Sequence, residues 1–285
     1  MTPLVRIEDL TVAFPLGRRL LGAPPMLQAV KSVSLDIPKG GFVGLVGESG
    51  SGKTTLGRAI LRAAPITQGR ITYDDGSRVF DIAQMTRAQE KAFRAEAQLI
   101  FQDPYAALSP RMTVRDIIAE PLEILGLTQS RAETDDRVRE IAAKCRINLE
   151  HLRRYPHAFS GGQRQRISIA RTLAAGPKFI VADECVAALD VSIQADILNL
   201  LKQLQRDLDL TFLFISHDLS VVAHVCDTVA VMYLGEIVEQ GPTRDIFERP
   251  QHDYTRALLS AIPSLDPDQR SRVRGFARGT VTVEG

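Results

Sequence analysis

One eight-residue string constrains this chain more than any other: Gly47-Glu48-Ser49-Gly50-Ser51-Gly52-Lys53-Thr54. It fits the pattern G-x-x-x-x-G-K-[ST] at every fixed position. It also lies where that pattern works, after the apolar run Phe42 to Val46 and before a helical stretch, Thr54 to Ala64. The glycines let the backbone curl so that successive N–H groups face a phosphate, and the following helix adds its positive end. Lys53 is placed to reach the β- and γ-phosphates of a nucleotide, and the Thr54 hydroxyl to bind Mg²⁺, with Thr55 beside it. A chance glycine-rich turn would need neither flank.

Such a loop needs a second strand that ends in a carboxylate. Phe179-Ile180-Val181-Ala182-Asp183-Glu184 supplies it, four apolar residues and then two acids. Ligands of open α/β sheets bind at the carboxyl ends of the strands. Asp183 is therefore expected in the Mg²⁺ shell, and Glu184 is expected to polarise an attacking water. The rest of the chain reads as strands at Leu4 to Phe14, Ala29 to Ile37 and Thr211 to Ile215, with hairpins around Asp74-Asp75-Gly76 and Gly235-Glu236. From about Gln84 to Ala175 the texture changes to helical segments rich in Arg, Glu and Ala. Val191 to Leu208 is a helix with Ile193, Ile197, Leu200, Leu201, Leu204 and Leu208 on one face. That order predicts an α/β core interrupted by a helical insertion.

A second glycine-bearing string, Phe159-Ser160-Gly161-Gly162-Gln163, precedes another helical run. Ser160 and Gln163 suit a capping box, while the two glycines leave N–H groups open to an anion. One phosphate loop already serves the chain's own nucleotide, so a second phosphate-facing terminus suggests a nucleotide shared between two copies.

With these strings the chain resembles the ATP-binding subunits of ABC transporters, whose signature is Leu-Ser-Gly-Gly-Gln. The match runs from about Leu4 to Pro263. The resemblance implies a P-loop NTPase core (residues 1–102 and 164–245), an inserted α-helical subdomain (103–163) and a short C-terminal extension (246–285). It implies ATP and Mg²⁺ as ligands, and two cassettes that sandwich ATP between one P-loop and the other's signature. By it, Ser160, Gly161, Gly162 and Gln163 contact the partner's ATP. Gln102, in Leu99-Ile100-Phe101-Gln102-Asp103-Pro104, senses Mg²⁺. His217, in Ile215-Ser216-His217-Asp218, contacts the γ-phosphate, and Phe14 stacks on adenine.

Narrower strings resemble the oligopeptide/dipeptide-type importers: Ala107-Leu108-Ser109-Pro110-Arg111, Ala188 to Gln194, and Pro250-Gln251-His252-Asp253-Tyr254-Thr255. That group implies a second, different ATPase subunit, two transmembrane permease subunits and an extracytoplasmic solute-binding protein. Its cargo extends to nickel, oligosaccharides and opines. The Gly17 to Pro25 insertion is more like the second ATPase subunit of such pairs. Two departures stand out. Cys185 replaces the proline usual after the catalytic acid, which is expected to loosen that turn, and Ala187 replaces a serine.

Composition narrows the partners. Lys+Arg number 35 against 34 Asp+Glu, a net charge of +1, so no nucleic-acid platform is expected. No apolar run approaches the ~20 residues that span a bilayer, and the start has no secretory pattern. The three cysteines lack metal-ligand spacing, as in a reduced cytosolic protein. The expected place is the cytoplasmic face of the cell membrane, held peripherally. A soluble ABC ATPase of DNA repair or translation, and an unrelated P-loop kinase, are the competing readings. Neither combines one cassette, a signature string and a switch histidine in this way.

Overall fold

A computed structural model describes residues 2–17 and 25–261. The chain opens with β1 (Pro3–Pro15), β2 (Met26–Pro38) and β3 (Phe42–Val46), then α1 (Lys53–Ile60), β4 (Gln68–Asp74) and β5 (Val79–Asp81). Next come α2 (Arg87–Glu96), β6 (Ala97–Ile100), α3 (Pro104–Ala107), α4 (Val114–Leu125), α5 (Arg131–Lys144) and α6 (Gly161–Ala174). β7 (Phe179–Asp183), α7 (Val191–Leu208), β8 (Thr211–Ser216), α8 (Leu219–Val225), β9 (Thr228–Tyr233), β10 (Glu236–Pro242), α9 (Thr243–Glu248) and α10 (Asp253–Ser260) complete it.

Two sheets result. The antiparallel one runs β2-β1-β4-β5, and the larger one runs β10-β9-β3-β8-β7-β6. In the larger sheet β9, β3, β8, β7 and β6 are parallel and β10 returns antiparallel beside β9. The apolar runs in its centre follow from burial on both faces. Phe42 and Val46, Ile180 and Ala182, and Phe212 and Phe214 join one apolar cluster with the helices of the insertion. The alternate residues Val43 and Leu45, Phe179 and Val181, and Leu213 and Ile215 join the other, beneath the antiparallel sheet. α7 lays Ile197, Leu200, Leu201 and Leu204 into the first cluster, each stabilising by about 1.5–3 kcal/mol.

The stretch from 84 to 175 is not helical throughout. Ala97–Ile100 is an edge strand parallel to β7, with Ala97 opposite Phe179 and Ile100 opposite Ala182. α2 leads into it at Ala97 with no glycine or proline between, so the usual punctuation is missing. This strand carries Gln102 to the carboxyl edge of the sheet. α6 is one continuous helix through the expected boundary between residues 163 and 164, and it buries Ile167, Ile169, Ala170 and Leu173 in the cluster shared by insertion and sheet. No helix among the described residues is long and apolar enough to cross a membrane. The insertion Gly17 to Pro25 lies largely outside the described residues, and the polar stretch Asp266 to Gly285 wholly outside them.

Candidate nucleotide site

The parallel register brings three strand ends together: Val46 lies opposite Ser216, and Asp183 opposite Ile215. Gly47, Glu184 and His217 therefore leave the sheet along one edge. At Gly47 (φ +148°) and Gly52 (φ +106°) the loop adopts backbone that side chains disfavour. A Cβ there would also strike backbone: one on Gly47 would lie 2.1 Å from the Met232 carbonyl oxygen, and one on Gly52 would lie 2.2 Å from the Ala29 carbonyl oxygen. Gly50 (φ +83°) faces open space. Gly52 caps α1 without a side-chain acceptor, so the first-turn N–H groups of α1, including that of Thr55, start without a side-chain cap.

Lys53 is only 5% exposed. Its ammonium donates to the carbonyls of Gly47 and Glu48, both at 2.7 Å, and to Ser51 Oγ at 3.4 Å. Burial lowers its pKa, while Glu184, Asp183 and Glu48 oppose that change. Thr54 Oγ1 donates to Asp183 Oδ1 at 3.0 Å. Burial pushes the Asp183 carboxyl up, against the Thr54 hydrogen bond, and the neighbouring charge of Glu184 adds to the rise.

Glu184 sits just past β7 with φ +46°, a conformation disfavoured for a side-chain-bearing residue. It is held there by its N–H on the Ile215 carbonyl at 2.9 Å. Its carboxylate accepts Gln102 Nε2 at 2.8 Å and lies 3.4 Å from His217 Nδ1. Three residues from three separate strand ends thus meet at one carboxylate. The turn after Glu184 is closed by two backbone hydrogen bonds, the Ala187 N–H to the Glu184 carbonyl and the Leu189 N–H to that of Val186, both at 3.1 Å. Cys185 is 1% exposed, and burial pushes its thiol up to about 12, so at neutral pH it is a small apolar filler.

Lys53, Thr54, Asp183, Glu184, Gln102 and His217 are thereby gathered at one edge, with Glu48 and Ser49 exposed on the loop. Phe14 is half-buried against the cluster beneath the antiparallel sheet and makes no hydrogen bond or ring contact with this group. Ser160 and Gln163 form a reciprocal capping box at the start of α6. Gly161 has ordinary room, but a Cβ on Gly162 would lie 2.4 Å from Ile193 Cγ2. The second glycine is therefore required by the approach of α6 to α7, a reason its string did not reveal. Sequence reasoning also missed the two carbonyls that abut Gly47 and Gly52, and Tyr254, whose hydroxyl accepts the Glu48 N–H at 3.0 Å. Only Tyr254 left a trace, inside the string Pro250 to Thr255.

A family model described as ABC transporter matches residues 30–187, and one described as oligopeptide/dipeptide transporter, C-terminal region, matches residues 238–282. The chain is 52% identical over 249 residues to the oligopeptide transport ATP-binding protein OppF of Bacillus subtilis (strain 168), covering 87% of this chain and 81% of that one. It is 49% identical over 271 residues to the glutathione import ATP-binding protein GsiA of Pectobacterium atrosepticum. There it covers 95% of this chain but spans only 43% of the relative's length. Among solved structures it is similar to the ATP-binding cassette MJ0796, a dimer in a post-hydrolysis state bound to ADP and Pi. That likeness has a TM-score of 0.72 at 27% identity, over 84% of this chain and 99% of the other.

Proposed function

Because the chain belongs to the ABC transporter family, we propose that it is the ATP-hydrolysing motor subunit of an importer, energising uptake of peptides or a similar small solute through a membrane permease pair. The observation that carries this reading is the convergence of Gln102 and His217 on Glu184, beside the Thr54–Asp183 pair and the buried Lys53.

ATP phosphates enter the curl of residues 47–54, where the α1 N–H groups and Lys53 receive them. To do so Lys53 exchanges the Gly47 and Glu48 carbonyls for phosphate oxygens. Thr54 and Asp183 suit Mg²⁺: a hydroxyl bonded to a carboxylate whose burial leaves its charge under-compensated. Mg²⁺, when bound, neutralises charge on the phosphate oxygens. Glu184 orients and deprotonates the attacking water, Gln102 holds the Glu184 carboxylate in place, and His217 stabilises the γ-phosphate. Catalysis is positioning and electrostatics.

Ser160 uses its oxygen to accept the Gln163 N–H, and its hydroxyl proton, which meets no acceptor among the described residues, is left for one outside the chain. The dimeric neighbour supports a partner cassette, whose ATP the 160–163 segment would cover. The partners proposed are a second, different ATPase subunit, two permeases and an extracytoplasmic solute-binding protein, with no nucleic acid. The subunit sits peripherally on the cytoplasmic face of the membrane.

The test is Glu184→Gln, which keeps shape and hydrogen bonding but loses the charge that draws a proton. ATP binding should survive, while hydrolysis at that site falls by about 10²-fold or more. Mg-ATP should then hold the variant and its partner cassette together longer than wild type. Wild-type hydrolysis by Glu184→Gln in a pair whose other site is inactive would remove the assignment, as would an ATP-independent pair.

A further inference from the structure

The string Pro250 to Thr255 lies outside the chemistry described so far, yet it reaches the phosphate-binding loop. Tyr254, in the first turn of α10, accepts the Glu48 N–H on its hydroxyl at 3.0 Å. Its ring lies on Tyr233, with centroids 4.1 Å apart and planes 30° apart. Tyr233 is the last residue of β9, and the turn that follows it also holds the loop, through the Gly235 N–H on the Ser51 carbonyl at 3.0 Å.

The segment that presents Tyr254 is itself tied to β10. Glu239 accepts the Gln251 N–H at 2.8 Å and the His252 N–H at 3.0 Å, one on each carboxylate oxygen. His252 Nδ1 accepts the Tyr254 N–H at 3.1 Å. Arg256 closes the turn from the other side, donating to the carbonyls of Pro250 at 2.9 Å and Gln251 at 2.8 Å. The backbone of the string is tied down by these bonds, and Tyr254 is the side chain through which it meets the loop.

We propose that Tyr254 is a positioning residue for the phosphate-binding loop, through which the C-terminal segment holds the first turn of that loop in the shape that receives a nucleotide. The inference rests on the nucleotide reading of residues 47–54. Glu48 is gripped on both sides: its N–H by Tyr254, its carbonyl by Lys53 Nζ at 2.7 Å and by the Ser51 N–H at 3.2 Å. When Lys53 leaves that carbonyl for a phosphate, the Tyr254 hydroxyl is the hold on Glu48 that comes from outside the loop, among the described residues. Its effect belongs to binding, because it touches neither Glu184 nor the groups around it.

The experiment is Tyr254→Phe in the full chain, which keeps the ring on Tyr233 and removes only the hydroxyl. The Kd for ADP should rise by roughly 3- to 10-fold, the scale of one lost neutral hydrogen bond. The KM for ATP in the assembled pair should rise alike with kcat unchanged, and amide exchange at Glu48 should quicken. Glu239→Ala should act through the same route, so the double variant should bind ADP no more weakly than the weaker single variant. An unchanged ADP Kd, an unchanged Glu48 exchange rate, a fall in kcat at constant KM, or additive single effects would each overturn the proposal. Lys53→Ala separates the two levels. If it binds ADP as wild type does, the nucleotide reading itself fails, whereas a null result confined to Tyr254→Phe sinks only the positioning role.

Discussion

Two helices in this molecule begin with glycines, and they begin differently. α1 starts at Gly52, in left-handed backbone and without a side-chain cap. α6 starts at Ser160, whose side chain accepts the Gln163 N–H while Gln163 Oε1 accepts the Ser160 N–H at 3.0 Å. The glycines of the first loop include three at positive φ, whereas Gly161 and Gly162 are not in that region. The first start curls through left-handed glycines and is held by contacts within its own chain. The second is a helix terminus already capped by its own side chains. A loop built to receive its ligand from its own chain shows that purpose in its backbone. A segment proposed to cover a partner cassette's nucleotide shows, in its own chain, only its packing.

The strongest way to break that contrast is Gly52→Ala. The new methyl would lie 2.2 Å from the Ala29 carbonyl oxygen, at φ +106°. Backbone cannot step aside as a side-chain tip can, so the loop must move and its N–H groups lose their common aim. Losing two charge-assisted hydrogen bonds of about 1.5–3 kcal/mol each predicts nucleotide affinity lower by about 10²-fold or more. Titration of the isolated chain with ADP measures it. Affinity near wild type would mean that the curl is not the phosphate cradle.

A smaller and different effect is expected of Gly162→Ala. Here the methyl meets a side chain, Ile193 Cγ2 at 2.4 Å, and overpacking of that kind costs about 1–3 kcal/mol. The melting point should fall while ADP affinity of the isolated chain stays put. Mg-ATP-driven association with the partner cassette should weaken, because α6 shifts relative to α7. Lower ADP affinity in the isolated chain would erase the distinction between a site built alone and a site built in pairs.

The same contrast separates what could be read in the residues from what could not. The phosphate loop and the acid pair after Ile180-Val181-Ala182 are local strings with a mechanism attached, and the parallel sheet brings them together. The 18-residue span of α7 follows from its apolar face, and the burial of alternate residues of β3, β7 and β8 in two clusters explains why those strands read as unbroken apolar runs. β6 escaped because four residues between a helix and a loop carry too little periodicity. The role of Gly162 escaped because Ile193 is 31 positions away in the chain and meets it only in the fold. Tyr254 escaped for the same reason, with 206 positions between it and Glu48. Gln102 and His217 had matching strings, but their meeting at Glu184 is a fact of tertiary structure.

The smallest effect concerns the base rather than the phosphates, and Phe14 is where it would be felt. Phe14 ends the buried part of β1, opposite Leu27 of β2, with its ring half-buried against the cluster beneath the antiparallel sheet. A half-buried ring can serve packing on one face and stack on adenine with the other. The two roles predict different outcomes for Phe14→Ala. If the ring stacks, ATP binding weakens by about 0.5–1.5 kcal/mol, the scale of an aromatic pair. Phe14→Tyr, which keeps the π-face, is then nearly silent. If the ring only packs, Phe14→Ala lowers stability and leaves affinity alone. Comparing ATP with inorganic triphosphate sharpens the test, because only a ligand with a base can lose a stacking partner. A ring that serves adenine should matter for ATP and not for triphosphate, whereas the Gly52→Ala defect should weaken both equally.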